Sequence, residues 1–124
     1  MIQLGCIALW ACAMVATHLP PRRLPHLGVG LGTSLHALGY FVLVGALWLT
    51  LDLHGQSRRR RLAIILLAVP LYAAIEEISQ PLFGRCASLI DWSVDVLGTV
   101  TAVAVFEIVK AIRGRDNSGS RAAA

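Results

Sequence analysis

The residues best equipped for chemistry lie between positions 76 and 95: Glu76, Glu77, Gln80, Arg85, Asp91 and Asp95, set among aliphatic side chains. Carboxylates in apolar surroundings suit general acid–base work or the handling of a proton or cation. An arginine offers a planar fork for phosphate or carboxylate. Earlier in the chain His36 and Tyr40 stand four apart and share a helix face, adding a titratable ring and a neutral hydroxyl. Ser88, Asp91, Asp95 and Gly98 follow one another at intervals of 3, 4 and 3, which also places them on one face. Gln80 lies three residues from Glu77 and four from Glu76, so either carboxylate can share its face.

Each of these residues also has a plainer reading. Arg85 with Asp91, or with Glu77, makes a structural clamp across a turn as readily as a ligand site. His36 lacks a His-x3-His companion and reads as a structural or interfacial histidine, so no metal and no cofactor is expected. Tyr40 suits a membrane interface. One of Glu76 and Glu77 reads as a solvated helix-end carboxylate. His18, His26 and His54 read as loop residues, and Glu107, close to Lys110 and Arg113, as a surface charge. Asp95 resists the plain reading best. It lies about 10 Å below the start of its helix at a rise of about 1.5 Å per residue. A carboxylate at the bilayer centre costs about 2.5–3.5 kcal/mol on insertion scales.

The elements that must position these groups follow from composition. Of 124 residues 56% are hydrophobic and only 15% charged, with a mean hydropathy of +0.69. A soluble domain carries about 25% charged residues. Residues 1–21 and 24–51 contain no Asp, Glu, Lys or Arg. These features predict an all-α integral membrane four-helix bundle, with spans at about 2–17, 33–53, 62–79 and 88–112. Together they form one membrane domain over 1–113, and the polar residues 114–124 read as a disordered tail. Pro20, Pro21 and Pro25 break the chain after the first span, Pro70 is expected to kink the third, and Pro81 and Gly84 mark the turn before the fourth.

The net charge of +4 would suggest nucleic acid in a soluble protein, but here its distribution reads as topology and no nucleic acid is expected. Arg58, Arg59, Arg60, Arg61, Lys110, Arg113, Arg115 and Arg121 fall on one side of an even number of spans; only Arg22, Arg23 and Arg85 fall on the other. Both termini are therefore expected in the cytoplasm. His36 and Tyr40, Glu77 and Gln80, and Arg85 with Asp91 should then converge from three helices on one extracytoplasmic polar pocket. Cys6, Cys12 and Cys86 match neither a metal-ligand spacing nor a disulfide framework. Leu9-Trp10-Ala11-Cys12 lacks a basic segment before it, so the first span is expected to be retained rather than cleaved. The sequence contains no internal repeat, glycine-rich phosphate loop or Gly-x-Ser-x-Gly elbow.

These same residues resemble the VanZ-like family over roughly positions 15–105. The resemblance is carried by Glu77-Ile78-Ser79-Gln80, Gly84-Arg85, Ser88, Asp91, position 95 and Gly98, together with His36 and Tyr40 as its His-x3-Tyr. There are two departures from the pattern. Gly32 and Thr33 stand where the family has Asp-Lys, and Asp95 stands where it has Asn. The resemblance implies a multi-pass protein of the bacterial inner membrane, in a family whose founding members are linked with resistance to the glycopeptide teicoplanin. The expected function is recognition of an envelope or lipid-linked polar ligand, such as a cell-wall precursor or glycopeptide, by His36, Tyr40, Glu77, Gln80, Arg85, Asp91 and Asp95. Membrane lipids are expected partners, and self-association is compatible with so small a bundle. Two alternatives stay open. One is an intramembrane enzyme with Glu77 or Asp95 as base and His36 as acid, acting on a lipid-linked phosphate or glycan. The other is proton- or ion-coupled transport through Glu77 and Asp95.

Overall fold

The computed structural model describes residues 1–19 and 29–122, and side chains within 1–19 and 32–114. The Pro-rich connection with Arg22, Arg23 and His26 lies outside the described residues. Among those described, every regular element is helical: α1 (Ile2–Thr17), α2 (Val29–Leu53), α3 (Arg58–Ser79), a short 3-10 turn (Gln80–Phe83) and α4 (Leu89–Ala122).

Three of the helices, over Gly32–Leu53, Arg58–Phe83 and Leu89–Gly114, are long and apolar enough to cross a membrane. In the most apolar window of each, only 28% is buried within the bundle. Their outward faces carry Leu38, Leu67, Leu71, Ile78, Leu97 and Ile108, which is the arrangement a hydrocarbon solvent stabilises. With 16 residues, α1 is shorter than the about 20 needed for a full crossing. It packs along α2 with Trp10 edge-on to Tyr40 and Tyr72.

Local chemistry sets the element ends. Ser57 caps α3, its side chain accepting from the Arg60 N–H. Gly55 and Gly84 take left-handed φ of +69° and +75°, closing the α2–α3 and α3–α4 turns where a Cβ would be strained. Ser88 caps α4 by accepting from the Asp91 N–H at 3.1 Å. Pro70 sits inside α3, as the sequence requires. The α2 helix starts at Val29, earlier than the start near position 33 expected for the second span. Helical backbone of α4 extends through 115–122, where composition alone reads as a disordered tail.

Tyr40, Val44 and Trp48 of α2, Ile65, Val69 and Ala73 of α3, and Ala102 and Val103 of α4 form the core. The close approach of α2 to α4 depends on Gly98: a Cβ there would stand 2.5 Å from the Ala37 carbonyl oxygen. That contact fixes the register in which His36 of α2 meets Asp95 of α4.

The two ends of the bundle differ. At the arginine end, Arg61 is 1% exposed. Its guanidinium donates to Asp52 Oδ1 and to Glu107 Oε1, both at 2.6 Å, and lies 4.4 Å from the centre of the Trp48 ring. Trp48 Nε1 donates to Glu107 Oε1 at 2.9 Å, Arg58 Nε to Glu107 Oε2 at 2.8 Å, and Lys110 reaches Asp52. Glu107 is therefore not a surface charge but the acceptor at the centre of this network. Likewise Trp48 is buried and turns inward to the ion cluster. A single-helix reading cannot see the arginine that arrives from α3.

Candidate functional site

The other end, around the α3–α4 turn, gathers the polar groups singled out above. Seven residues from the apolar start of α4 the helix carries Asp95 inward, 1% exposed, with Oδ1 sharing a hydrogen bond of 3.1 Å with His36 Nδ1. One turn earlier on the same face, Asp91 Oδ1 accepts from the Thr33 hydroxyl at 3.1 Å. From α3, Glu77 accepts from Gln80 Nε2 at 2.9 Å and, through its other oxygen, from the Ser88 N–H at 2.8 Å. Glu77 thereby ties the end of α3 to the cap of α4. Tyr40 donates to Glu76 Oε2 at 2.7 Å.

Three helices thus bring His36, Tyr40, Gln80, Glu77, Asp91 and Asp95 to one end of the bundle, as their spacing requires. Glu76 and Glu77 are each 4% exposed, so neither is a solvated helix-end carboxylate. They sit on neighbouring faces, and the bundle closes over both. Glu76 is the residue the sequence undervalues: adjacent acids look redundant, and only the opposing Tyr40 shows that the second one is also needed.

Arg85 departs from expectation. Among the described residues it forms no ion pair; Glu77 accepts from Gln80 and the Ser88 N–H, and Asp91 from Thr33. Instead it lines a cavity of about 320 Å3 with His36, Tyr40, Glu76, Leu35 and Leu43. Ala13, Ala16 and Thr17 of α1 complete the wall. The exposed lining is largely apolar, although Arg85, His36, Tyr40 and Glu76 are among the residues that border it. Glu76 Oε1 is buried with no hydrogen-bond partner. Arg85 offers an incoming molecule a cation able to fork onto an anionic group. A second cavity, of about 510 Å3, flanks α1 and is lined by apolar residues including Cys6, Met14, Leu47 and Val69.

His18, which caps the C-terminus of α1, places Nε2 2.8 Å from the Ser79 hydroxyl and its ring edge-on to Phe83. Lying in the turn just after α1, as a loop residue should, it also serves as a strut between α1 and the α3–α4 turn. One ligating atom from each of His36, Glu77 and Asp95 falls within 4.8 Å of the others, a spacing that could hold a metal ion. No family model matches the chain, and neither a curated protein nor a solved structure is significantly similar to it.

Proposed function

We propose that the chain is a VanZ-like, multi-pass protein of the bacterial inner membrane, with both termini cytoplasmic and the α3–α4 turn outside. In this reading the cavity between α1, α2 and the turn binds an envelope lipid or lipid-linked precursor through its phosphate- or carboxylate-bearing headgroup. The observation that carries the proposal is Arg85 standing without an ion partner among the described residues, in a cavity shared with His36, Tyr40 and Glu76. Arg85 would fork onto the anionic group, while Glu76 Oε1 would accept from a hydroxyl or amine of the headgroup. Leu35, Leu43 and the alanines of α1 would receive the first part of the hydrocarbon chain, and the apolar cavity along α1 offers further room. The tie to glycopeptide resistance rests on the resemblance, since both that antibiotic class and cell-wall precursors meet on the outer face.

The test is thermal stabilisation of detergent-purified protein by added polyprenyl phosphate, with phosphatidylcholine as the comparison. Stabilisation by the phosphate monoester that disappears in Arg85→Ala supports the proposal. Equal response to both lipids, or an unaltered response in Arg85→Ala, contradicts it.

The hydrogen bond between His36 and Asp95 favours one second reading, an enzyme acting on the same headgroup, because a carboxylate that orients an imidazole is the usual arrangement of a general base. Hydrolysis of a polyprenyl or phospholipid phosphate by purified protein, lost in both His36→Gln and Asp95→Asn, would establish it; no turnover would leave a binding protein.

A further inference from the structure

We propose that His36, Glu77 and Asp95 form a site for one divalent first-row transition-metal ion, built from three helices at the turn end of the bundle. One ligating atom from each residue lies within 4.8 Å of the other two. Bonds of about 2.0–2.2 Å from metal to nitrogen and oxygen hold ligand atoms about 3–4 Å apart. Side-chain adjustments of about half an ångström close the triangle from that starting point.

The second observation is independent of the spacing. Asp95 is 1% exposed and its Oδ2 is buried with no hydrogen-bond partner among the described residues. A buried carboxylate oxygen with no donor is expensive to maintain, and a dication supplies the missing partner. The charge around the cluster points the same way. Glu77 receives only neutral donors, the Gln80 amide and the Ser88 N–H. The adjoining acids, Glu76 and Asp91, are held by the hydroxyls of Tyr40 and Thr33. Two carboxylates and a neutral imidazole around a dication make an uncharged unit, which a low-dielectric site holds far better than two bare anions.

The donor set narrows the ion. One imidazole nitrogen with carboxylate oxygens suits Zn2+, Mn2+ or Fe2+, whereas Ca2+ and Mg2+ favour oxygen shells. The Gln80 amide and Ser88 N–H already orient Glu77 in the way hydrogen bonds to metal-binding carboxylates do. Three protein ligands leave a coordination position free, and His36 also borders the cavity beside Arg85. The site stands on its own geometry, whether or not that cavity holds a headgroup.

The test uses untagged full-length protein in detergent, stripped with a chelator and titrated with Mn2+ and with Zn2+. Mn2+ is followed by loss of its free-ion EPR signal, a readout insensitive to Cys6, Cys12 and Cys86 because thiols are poor ligands for that ion. One equivalent per chain is expected. Asp95→Asn and Glu77→Gln should each weaken binding at least 10-fold, and His54→Ala, at the far end, should leave it unchanged. Thermal melts report whether each variant is folded, and the wild-type titration decides the matter should both variants unfold. Absence of saturable binding of both metals by wild type overturns the proposal, as does binding that survives unchanged in folded Asp95→Asn and Glu77→Gln.

Discussion

Buried polar side chains in this bundle are arranged so that removing one partner strands another, and single substitutions expose that dependence. Tyr40→Phe keeps the ring in the core but leaves Glu76 with neither oxygen bonded. The expected loss is about 1.5–3 kcal/mol, the scale of a hydrogen bond to a charged group, read as a lowered midpoint of reversible unfolding in mixed micelles. Arg61→Ala removes the buried cation that joins Asp52 to Glu107, which keep Lys110 and Arg58 respectively, and should cost about 1.5–3 kcal/mol by the same measurement. Arg61→Lys should recover only part of it, since an ammonium cannot reproduce the fork to two carboxylates or the stacking on Trp48. At this scale the sequence is informative about cost but not about pairing. The depth of Asp95 marks it as needing a partner, and His36 is that partner. The expected clamp of Arg85 on Asp91 is absent among the described residues, where Asp91 accepts from Thr33 on another helix.

Helices show their existence in composition and their contacts in small residues. The α2–α4 crossing is set where Gly98 meets the backbone of Ala37, with its carbonyl oxygen 2.5 Å from a would-be Cβ. Backbone cannot swing aside as a side-chain end can, so Gly98→Ala must push the helices apart. A destabilisation of about 1–3 kcal/mol is expected, together with weaker binding wherever His36 and Asp95 act jointly. Gly45, which faces the Phe106 ring rather than backbone, should tolerate alanine better. Ser88→Ala removes the α4 cap and should cost about 1 kcal/mol, measurable as earlier amide exchange over the first turn of α4. The helical segments were legible because 20-residue apolar runs have few alternatives in lipid. Their ends were less so: α2 begins within a glycine-rich stretch whose local propensity argues against helix.

On the scale of the molecule, a thin apolar bundle carries one ionic network at each end. At the arginine end Arg58, Arg61 and Lys110 are all paired with Asp52 or Glu107. At the turn end the acids outnumber the cations among the described residues, and Arg85 faces a cavity. This asymmetry is why the functional proposals concentrate there. It also makes orientation in the bilayer decisive, since the same cavity facing the cytoplasm would meet different ligands. Basic residues flanking α3 predict that the arginine end stays inside. Cys86, exposed in the turn, reports the answer. In intact cells expressing a Cys6→Ala, Cys12→Ala variant, a membrane-impermeant maleimide should modify Cys86 without permeabilisation. Labelling only after the membrane is breached would place the Arg85 cavity on the cytoplasmic side and contradict an envelope ligand for it.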